Sequence, residues 1–561
     1  MRRRSSILGR VRRLALGVLL VPGLAAATAR ADDAIVAATL SATIESGRHP
    51  WLRWPSFPDY REALRRLYAE QGVRPVWIAD GALTSQGRAA IAQLERADDE
   101  GLHASDYDAA LLAQRADALA RDPSPADADV ALLDLALSIG VMRNVSDLRI
   151  GRIRPELGGF RNDVGERRVD LPSFVSGLAR ADDVAARIQA IEPPYRRYER
   201  LKEALVRYRA LAADPSLSQP LPVARKLVPG DAYAGAPALR HKLVALGDLP
   251  PDAPPPPDET RYDGALAAAV ERFQARHSLT ADGVVGAATF AALNTPLAKR
   301  VEQIQLVLER WRWLPEIGPQ LIGVNVPEFQ LYAVRREQPG VSGEDLLKMR
   351  VIVGRAFRTE TPNFVGTMNE VIFRPYWNVP PSIARKEIVP KERKSPGYLA
   401  RDEFEIVDAA GVPQPTSAAT LAAVAAGALQ VRQRPGPKNA LGLVKFLFPN
   451  RFNVYLHGTP APSLFTKSRR DFSHGCIRVE DPVALAEWVL RDEPGWTRER
   501  ILDAMNGEET ISVPLRTRVP VFVVYATAVA DPDGTVRFFE DLYGQDAKLS
   551  ELLAGGYPYR P

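Results

Sequence analysis

Ser473-His474-Gly475-Cys476-Ile477-Arg478 contains the only cysteine in this chain of 561 residues, and Tyr455-Leu456-His457-Gly458-Thr459 precedes it. A thiol becomes a strong nucleophile as the thiolate, which requires a nearby base or positive charge. His457 lies at the end of a predicted strand, and the loop after it allows the chain to bring Cys476 back beside it. A thiol activated in this way would react with iodoacetamide below the ordinary cysteine pKa of about 8.5.

The turn before the cysteine has two further features of an acyl-transfer site. Gly475 permits a close approach of the backbone to a substrate and an unusual backbone angle. Backbone N–H groups in such a turn can stabilise an oxyanion. His474, two residues from Cys476, is a second candidate base.

A metal site is not predicted. One cysteine cannot form a cysteine-based zinc cluster or an internal disulfide. The histidines show neither His-x-x-x-His nor His-Glu-x-x-His spacing. A metal-dependent peptidase is therefore the weaker hypothesis, and the histidines outside the two motifs are interpreted as structural or surface residues: His49, His103, His241 and His277.

The segment that contains both motifs resembles the catalytic domain of the L,D-transpeptidases. The signature of that family is a histidine followed, after a spacer, by Ser/Thr-His-Gly-Cys. His457 and residues 473–476 match it, and the resemblance extends to residues 377–381 and 435–442. The chain as a whole is similar to the large, three-part Gram-negative type of L,D-transpeptidase, which has an inserted capping subdomain.

The resemblance implies a role for each residue of the motifs. Cys476 would be the nucleophile, His457 its general base and acid, and the Gly458 carbonyl would orient the imidazole. The remaining motif residues would shape the nucleophile loop and hold the donor stem and the oxyanion: Ser473, His474, Gly475 and Arg478. Arg478 occupies a position that varies in the family.

The implied reaction is a two-stage acyl transfer that needs no metal and no organic cofactor. The thiolate attacks the diaminopimelate carbonyl of a tetrapeptide stem, D-alanine leaves, and an amine of a second stem resolves the thioester to give a 3→3 cross-link. A carboxypeptidase using the same Cys–His pair is an alternative, as is attachment of a protein or a D-amino acid to the stem. A non-catalytic wall-binding protein is a third hypothesis.

The remainder of the chain predicts a multidomain α+β protein. Apolar spacing indicates a helical scaffold over residues 32–229, and residues 230–298 resemble the three-helix peptidoglycan-binding domain through an Asp-Gly-x-x-Gly turn at 282–286. Residues 299–561 are strand-rich, which is typical of an antiparallel sandwich or barrel-like sheet. An insertion over about residues 381–442 is interpreted as a lid.

The N-terminus is predicted to be a signal peptide. Residues 1–31 contain arginines, then an apolar run, then the small-residue site Ala29-Arg30-Ala31. The apolar run is too short to span a bilayer, so we expect a cleaved peptide, a periplasmic protein and no transmembrane span in the mature chain.

The overall charge does not indicate nucleic-acid binding. Residues 1–31 hold seven arginines and no acidic residue, and without them acidic residues slightly outnumber basic ones. Generic binding to nucleic acid therefore loses its electrostatic basis. The expected partners are peptidoglycan stem peptides, and the scaffold leaves room for other cell-wall synthesis proteins.

Overall fold

The structure is a computed structural model that describes residues 23–161, 168–254, 256–316, 318–336, 344–557 and 559. These residues form two compact units. The first comprises residues 23–95, 105–143 and 170–187, and the second the described residues of 96–104, 144–169 and 188 onward. Residues 1–22 of the predicted signal peptide lie outside the described residues. A helix begins at Gly23 and continues past the expected cleavage site.

The N-terminal elements are helical apart from one short hairpin, as the sequence predicted. Their helices are α1 (Gly23–Ser46), α2 (Arg61–Glu70), α3 (Ser85–Glu95), α4 (Ala109–Arg121), α5 (Asp127–Ile150), α6 (Leu171–Leu178), α7 (Val184–Gln189), α8 (Arg196–Ala213) and α9 (Pro215–Ser218). Two short 3₁₀ turns cover Ala97–Glu100 and Ala104–Tyr107. Strands β1 (Ile78–Ala79) and β2 (Ala82–Leu83) pair antiparallel.

Two buried polar residues in the first unit, Asp134 and His49, have hydrogen-bond partners, as buried polar groups generally require. Asp134 accepts hydrogen bonds from the Tyr68 hydroxyl at 2.6 Å and from the Trp77 backbone N–H at 2.6 Å. Nε2 of His49 lies 2.9 Å from the carbonyl oxygen of Leu132. The role of His49 in this unit is therefore structural.

The segment that resembles a peptidoglycan-binding domain has the three predicted helices. These are α10 (Ala236–Leu246), α11 (Gly264–Arg276) and α12 (Ala287–Leu293), which share one apolar core. Gly247 ends α10 with a φ of +83°, a left-handed angle that glycine adopts at little cost. Gln274 holds the 282–286 turn, since its amide accepts from the Gly283 N–H at 2.9 Å and donates to the Val284 carbonyl at 2.9 Å.

The strand-rich segment is a mixed β-barrel, which confirms the barrel-like, mainly β prediction. After α13 (Leu297–Trp311), its strands are β3 (Gln320–Asn325), β4 (Gln330–Arg336), β5 (Glu344–Gly354), β6 (Phe364–Phe373), β11 (Val444–Leu447), β12 (Leu456–His457), β13 (Asp471–Ser473), β14 (Ile477–Val479) and β15 (Ile511–Val524). They are hydrogen-bonded in the order β13-β5-β14-β12-β11-β6-β15-β3-β4, and β4 also pairs with β5, which closes the ring.

The sheet is not wholly antiparallel, which differs from the prediction. Three strand pairs are parallel: β12 with β14, β3 with β15, and β5 with β13. Alternate apolar residues such as Ile322 and Val324 point into the barrel core and are fully buried. Helices α18 (Pro482–Leu490), α19 (Arg498–Asn506) and α20 (Gln545–Ala554) and the hairpin of β16 (Ala528–Ala530) and β17 (Val536–Phe538) complete the segment.

A small subdomain, the cap, occupies residues 377–433 between β6 and β11. Its sheet has the order β7 (Trp377–Asn378), β10 (Gln430–Gln433), β8 (Phe404–Val407) and β9 (Pro413–Gln414). Its helices are α14 (Pro381–Ile383), α15 (Val389–Lys394), α16 (Tyr398–Arg401) and α17 (Ala418–Ala426), with a π-helical stretch over Ala384–Ile388. The cap has an apolar cluster of its own.

Among the described residues, no helix is both long enough and apolar enough to cross a bilayer.

Candidate active site

The two sequence motifs meet on neighbouring parallel strands. β12 pairs with β14 so that Leu456 lies opposite Ile477 and His457 lies opposite Arg478. Residues directly opposite each other share one face of a sheet, and so do residues two apart on one strand. His457 and Arg478 therefore lie on one face, and Cys476 immediately precedes β14. The Ile477 N–H donates to the Tyr455 carbonyl at 3.1 Å, which extends the pairing to the residue beside the thiol.

His457 is buried and held in one orientation. Its Nδ1 lies 2.6 Å from the carbonyl oxygen of Gly458. Because a carbonyl can only accept, Nδ1 carries the hydrogen and Nε2 has the free lone pair. Burial, together with the positive charges of Arg478 and Lys445, lowers the pKa of His457 to about 3. The imidazole is therefore neutral near neutral pH and able to accept a proton.

Cys476 is partly accessible, and its thiol lies among polar groups. The thiol donates to the Asn453 carbonyl over 3.6 Å. Burial raises the pKa of the thiol, while hydrogen bonds from Tyr455 and the charges of Lys445 and Arg478 oppose that increase. The pKa of Cys476 is therefore raised, whereas the sequence analysis expected a thiolate to form below the ordinary cysteine pKa. Without substrate, both the thiol and the imidazole are neutral.

The nucleophile loop is held by threonines that the sequence analysis did not single out. Thr361 donates to the Gly475 carbonyl at 2.8 Å and accepts from the Gly354 N–H at 2.8 Å. Thr359 donates to the carbonyl oxygen of Ser473 at 2.9 Å. Both threonines follow β5, and β5 pairs with β14, so the barrel fixes the loop. Nothing in the sequence links these threonines to the motif because they are distant from it along the chain.

Ser473 and Gly475 shape the turn itself. The Ser473 hydroxyl donates to the Cys476 carbonyl at 2.5 Å and accepts from the Gly475 N–H at 3.1 Å. Gly475 has a φ of +115°, an angle that side chains other than hydrogen rarely allow. The unusual backbone angle predicted for Gly475 is therefore present. These bonds keep the thiol at the edge of the sheet.

His474 contacts the cap. Its Nε2 lies 2.6 Å from Oε1 of Glu387, which is in the π-helical stretch. The structure therefore does not place His474 as a second base for Cys476. Glu387 was not predicted, since its sequence context is a run of charged residues typical of a solvated surface.

Aromatic and basic residues surround the thiol. The Tyr455 hydroxyl is hydrogen-bonded to Cys476 and also to Trp377 of the cap. Arg478 is half-buried, and its Nε has no hydrogen-bond partner within the described ranges. Burial lowers the pKa of Arg478, and the charge of Cys476 opposes the change. Tyr455 belongs to the quoted motif but was not predicted to act on the thiol.

No arrangement of three or more His, Cys, Asp or Glu side chains able to hold a metal ion occurs among the residues with described coordinates. The side chains around Cys476 can instead supply a nucleophile, a neutral base and two positive charges. Such a set is able to carry out acyl transfer through a thioester.

Comparison with known proteins gives three domain matches. Residues 319–521 match the family model described as "L,D-transpeptidase catalytic domain". Residues 235–293 match "Putative peptidoglycan binding domain", and residues 62–205 match "Scaffold domain".

A relative from Haemophilus influenzae is named "Putative L,D-transpeptidase". It is 32% identical to this chain over 250 residues, which are 44% of this chain and 49% of the relative. The chain thus spans about half the length of the curated relative that it matches. Residues 319–521 are thus similar to an L,D-transpeptidase catalytic domain, and the same chain carries segments similar to a scaffold domain and a peptidoglycan-binding domain.

Proposed function

We propose that this chain is a periplasmic, cysteine-dependent L,D-transpeptidase that forms 3→3 cross-links between peptidoglycan stem peptides. The observation that carries the proposal is the parallel pairing of β12 with β14, which brings His457 and the Cys476 loop together inside a domain of this type. The signal-peptide pattern of residues 1–31 and the accompanying peptidoglycan-binding domain support action at the cell wall.

The first stage forms a thioester. When the diaminopimelate carbonyl of a donor tetrapeptide stem reaches Cys476, the thiol proton passes to Nε2 of His457 as sulfur attacks the carbonyl carbon. Backbone N–H groups of the 473–476 turn and the positive charge of Arg478 stabilise the oxyanion. The C–N bond to the terminal D-alanine then breaks, and its nitrogen takes the proton from His457.

The second stage transfers the acyl group. The amine of a second stem attacks the thioester carbonyl, and His457 accepts a proton from that amine. The C–S bond breaks, and the proton returns to sulfur to regenerate the thiol. Because both groups start neutral, the proton transfer accompanies substrate attack and does not precede it. The same pair acting on water would give a tripeptide in place of a cross-link.

Product analysis tests this proposal. Wild-type protein and C476A are incubated with a purified disaccharide-tetrapeptide, and the products are identified by mass. We expect dimeric muropeptide and free D-alanine from the wild type, and neither from C476A. Tripeptide without dimer would identify a carboxypeptidase, and added D-amino acid or acceptor protein would reveal exchange or attachment. Absence of every product from the wild type would contradict the proposal.

His457 is tested separately. We expect H457A and H457Q to lose product formation by at least about a hundredfold, since general base catalysis typically contributes that much. Unchanged turnover in both variants would exclude His457 as the base.

A further inference from the structure

Lys445 is a basic residue of the site that neither motif contains. It lies on β11 directly opposite His457. Since residues opposite each other share a sheet face, its side chain is on the face that carries His457 and Arg478. The ammonium group does not extend straight across to His457 but lies 4.1 Å from the centre of the Tyr455 ring.

That ring places the charge close to the nucleophile. Tyr455 is hydrogen-bonded to Cys476 through its hydroxyl, and its backbone also hydrogen-bonds to the thiol. A cation within about 6 Å of an aromatic ring is attracted to the ring face. The interaction therefore holds the ammonium group of Lys445 on the residue that contacts sulfur.

Lys445 is half-buried, and in the part of the chain that the structure describes it forms no ion pair. Burial lowers the pKa of Lys445, whereas the negative charges of Cys476 and Glu370 oppose that decrease. A half-buried cation is stabilised by negative charge nearby. Thiolate formation at Cys476 would add such a charge to that of Glu370.

We propose that Lys445 is a positioning residue whose ammonium group, held on the Tyr455 ring, stabilises negative charge on the sulfur of Cys476. This inference rests on the proposed function only for the identity of the nucleophile. It explains how a buried thiol that is neutral without substrate becomes nucleophilic during attack.

The other groups that face the thiol have different functions. His457 on β12 accepts a proton, and Tyr455, which directly precedes β12, donates a hydrogen bond. Arg478 on β14 lies on the opposite side of β12 from Lys445, and Glu370 on β6 acts on Lys445. Removing Lys445 therefore removes one of two positive charges and leaves each hydrogen bond of the thiol in place.

Alkylation of Cys476 tests the inference without any substrate. Because Cys476 is the only cysteine, the rate of iodoacetamide addition measured by intact mass reports this thiol alone. We measure that rate from pH 6 to pH 10 for the wild type, K445M and K445R. Loss of the charge in K445M should slow alkylation at pH 8 by about three- to tenfold, as expected for a unit charge at an intermediate dielectric. K445R should keep the wild-type profile.

K348M is the matched control. Lys348 also lies over a tyrosine, 5.5 Å from the centre of the Tyr332 ring, but it is on β5 near the other end of the strand from the site. Its substitution should leave alkylation unchanged. Thermal unfolding is recorded for each variant. If K445M lacks a cooperative unfolding transition, K445Q is used in its place.

Three outcomes would overturn the inference. One is an alkylation profile in K445M equal to that of the wild type. Another is an equal loss in K445R, which would assign the effect to side-chain shape and not to charge. The third is a higher KM for the donor stem with an unchanged alkylation profile, which would make Lys445 a substrate-binding residue. None of these outcomes depends on whether the acyl acceptor is an amine or water. Failure of this inference can therefore be distinguished from failure of the proposed function.

Discussion

Glu387 of the cap and His474 of the 473–476 loop form a hydrogen-bond contact, with Oε1 and Nε2 2.6 Å apart. His474 lies two residues before Cys476, so this contact connects the cap to the loop that carries the thiol. About 40% of each side chain is exposed. The contact therefore contributes little to stability, on the order of 0.2–1 kcal/mol, and its effect is on the position of the cap.

The first prediction concerns this contact. E387Q should lower kcat/KM for the donor stem by about three- to tenfold, because the cap loses its charged contact with the loop. The melting temperature should change little. E405Q is the control, since Glu405 pairs with Arg432 inside the cap. Equal kinetics in E387Q and E405Q would contradict a special role for the contact.

The second prediction concerns Thr361, which is fully buried. T361V keeps the shape of the side chain but removes its hydrogen bonds to Gly475 and Gly354. We expect the free energy of unfolding to fall by about 1–3 kcal/mol, and kcat to fall about tenfold or more as the loop loses its position.

Urea denaturation and turnover measurements check both effects of T361V. T361S retains the hydroxyl group and should recover most of the lost kcat. A T361V protein that is less stable but turns over at the wild-type rate would show that Thr361 supports the fold alone.

The third prediction concerns the cap as a lid. Asn378 on β7 is paired with Arg432 on β10, so residues 379–431 begin and end at adjacent positions. Replacing that segment by Asn-Gly should join the two strands through a two-residue hairpin turn. The barrel has a separate apolar core and should still unfold cooperatively.

Turnover should change more than folding in this hairpin variant. With the cap removed, water reaches the thioester, so cross-linking should fall by about tenfold or more and the ratio of tripeptide to dimer should rise. Mass analysis of the products and a thermal unfolding scan measure the two effects. Loss of the cooperative transition would make the cap part of the barrel fold.

The fourth prediction concerns the pH dependence of stability. Burial lowers the pKa of His49 to about 4, below its ordinary value of about 6.5. The folded state therefore binds this proton less tightly than the unfolded state. Neutral His49 makes its full contribution to the free energy of unfolding above about pH 6.5. This contribution, up to about 3 kcal/mol, is lost as the pH falls towards 4.

Urea unfolding of the wild type and H49Q at pH 4, 5, 6 and 7 isolates this effect, because the other titrating groups cancel in the difference. The difference in unfolding free energy should grow with pH and level off above about pH 6.5. A difference that does not depend on pH would show that His49 does not titrate in this range.

Local patterns in the sequence predicted the helices. The three helices of residues 236–293 follow from apolar spacing and from Gly247 as a helix end. The strand predicted to end at His457 is short, since it comprises only Leu456–His457. Asn453 has a φ of +55°, and the Asn450 amide donates to the Val454 carbonyl at 2.7 Å, which makes a turn there.

Long-range contacts were beyond prediction from the sequence. The bonds of Thr361 and the contact of Glu387 join segments that are far apart along the chain. No local pattern specifies which of them meet. The thiol also differs from expectation because burial, which depends on the whole barrel, outweighs the nearby positive charges.

Closure of the barrel has a consequence for folding. β5 pairs with β14, and β15 pairs with both β3 and β6, so the ring joins the two ends of the segment. Such non-local pairing slows folding, while a single cysteine removes any disulfide-forming step. Since the Cys476 loop is held between β5 and β12, recovery of enzymatic activity after dilution from denaturant would report the moment at which the ring closes.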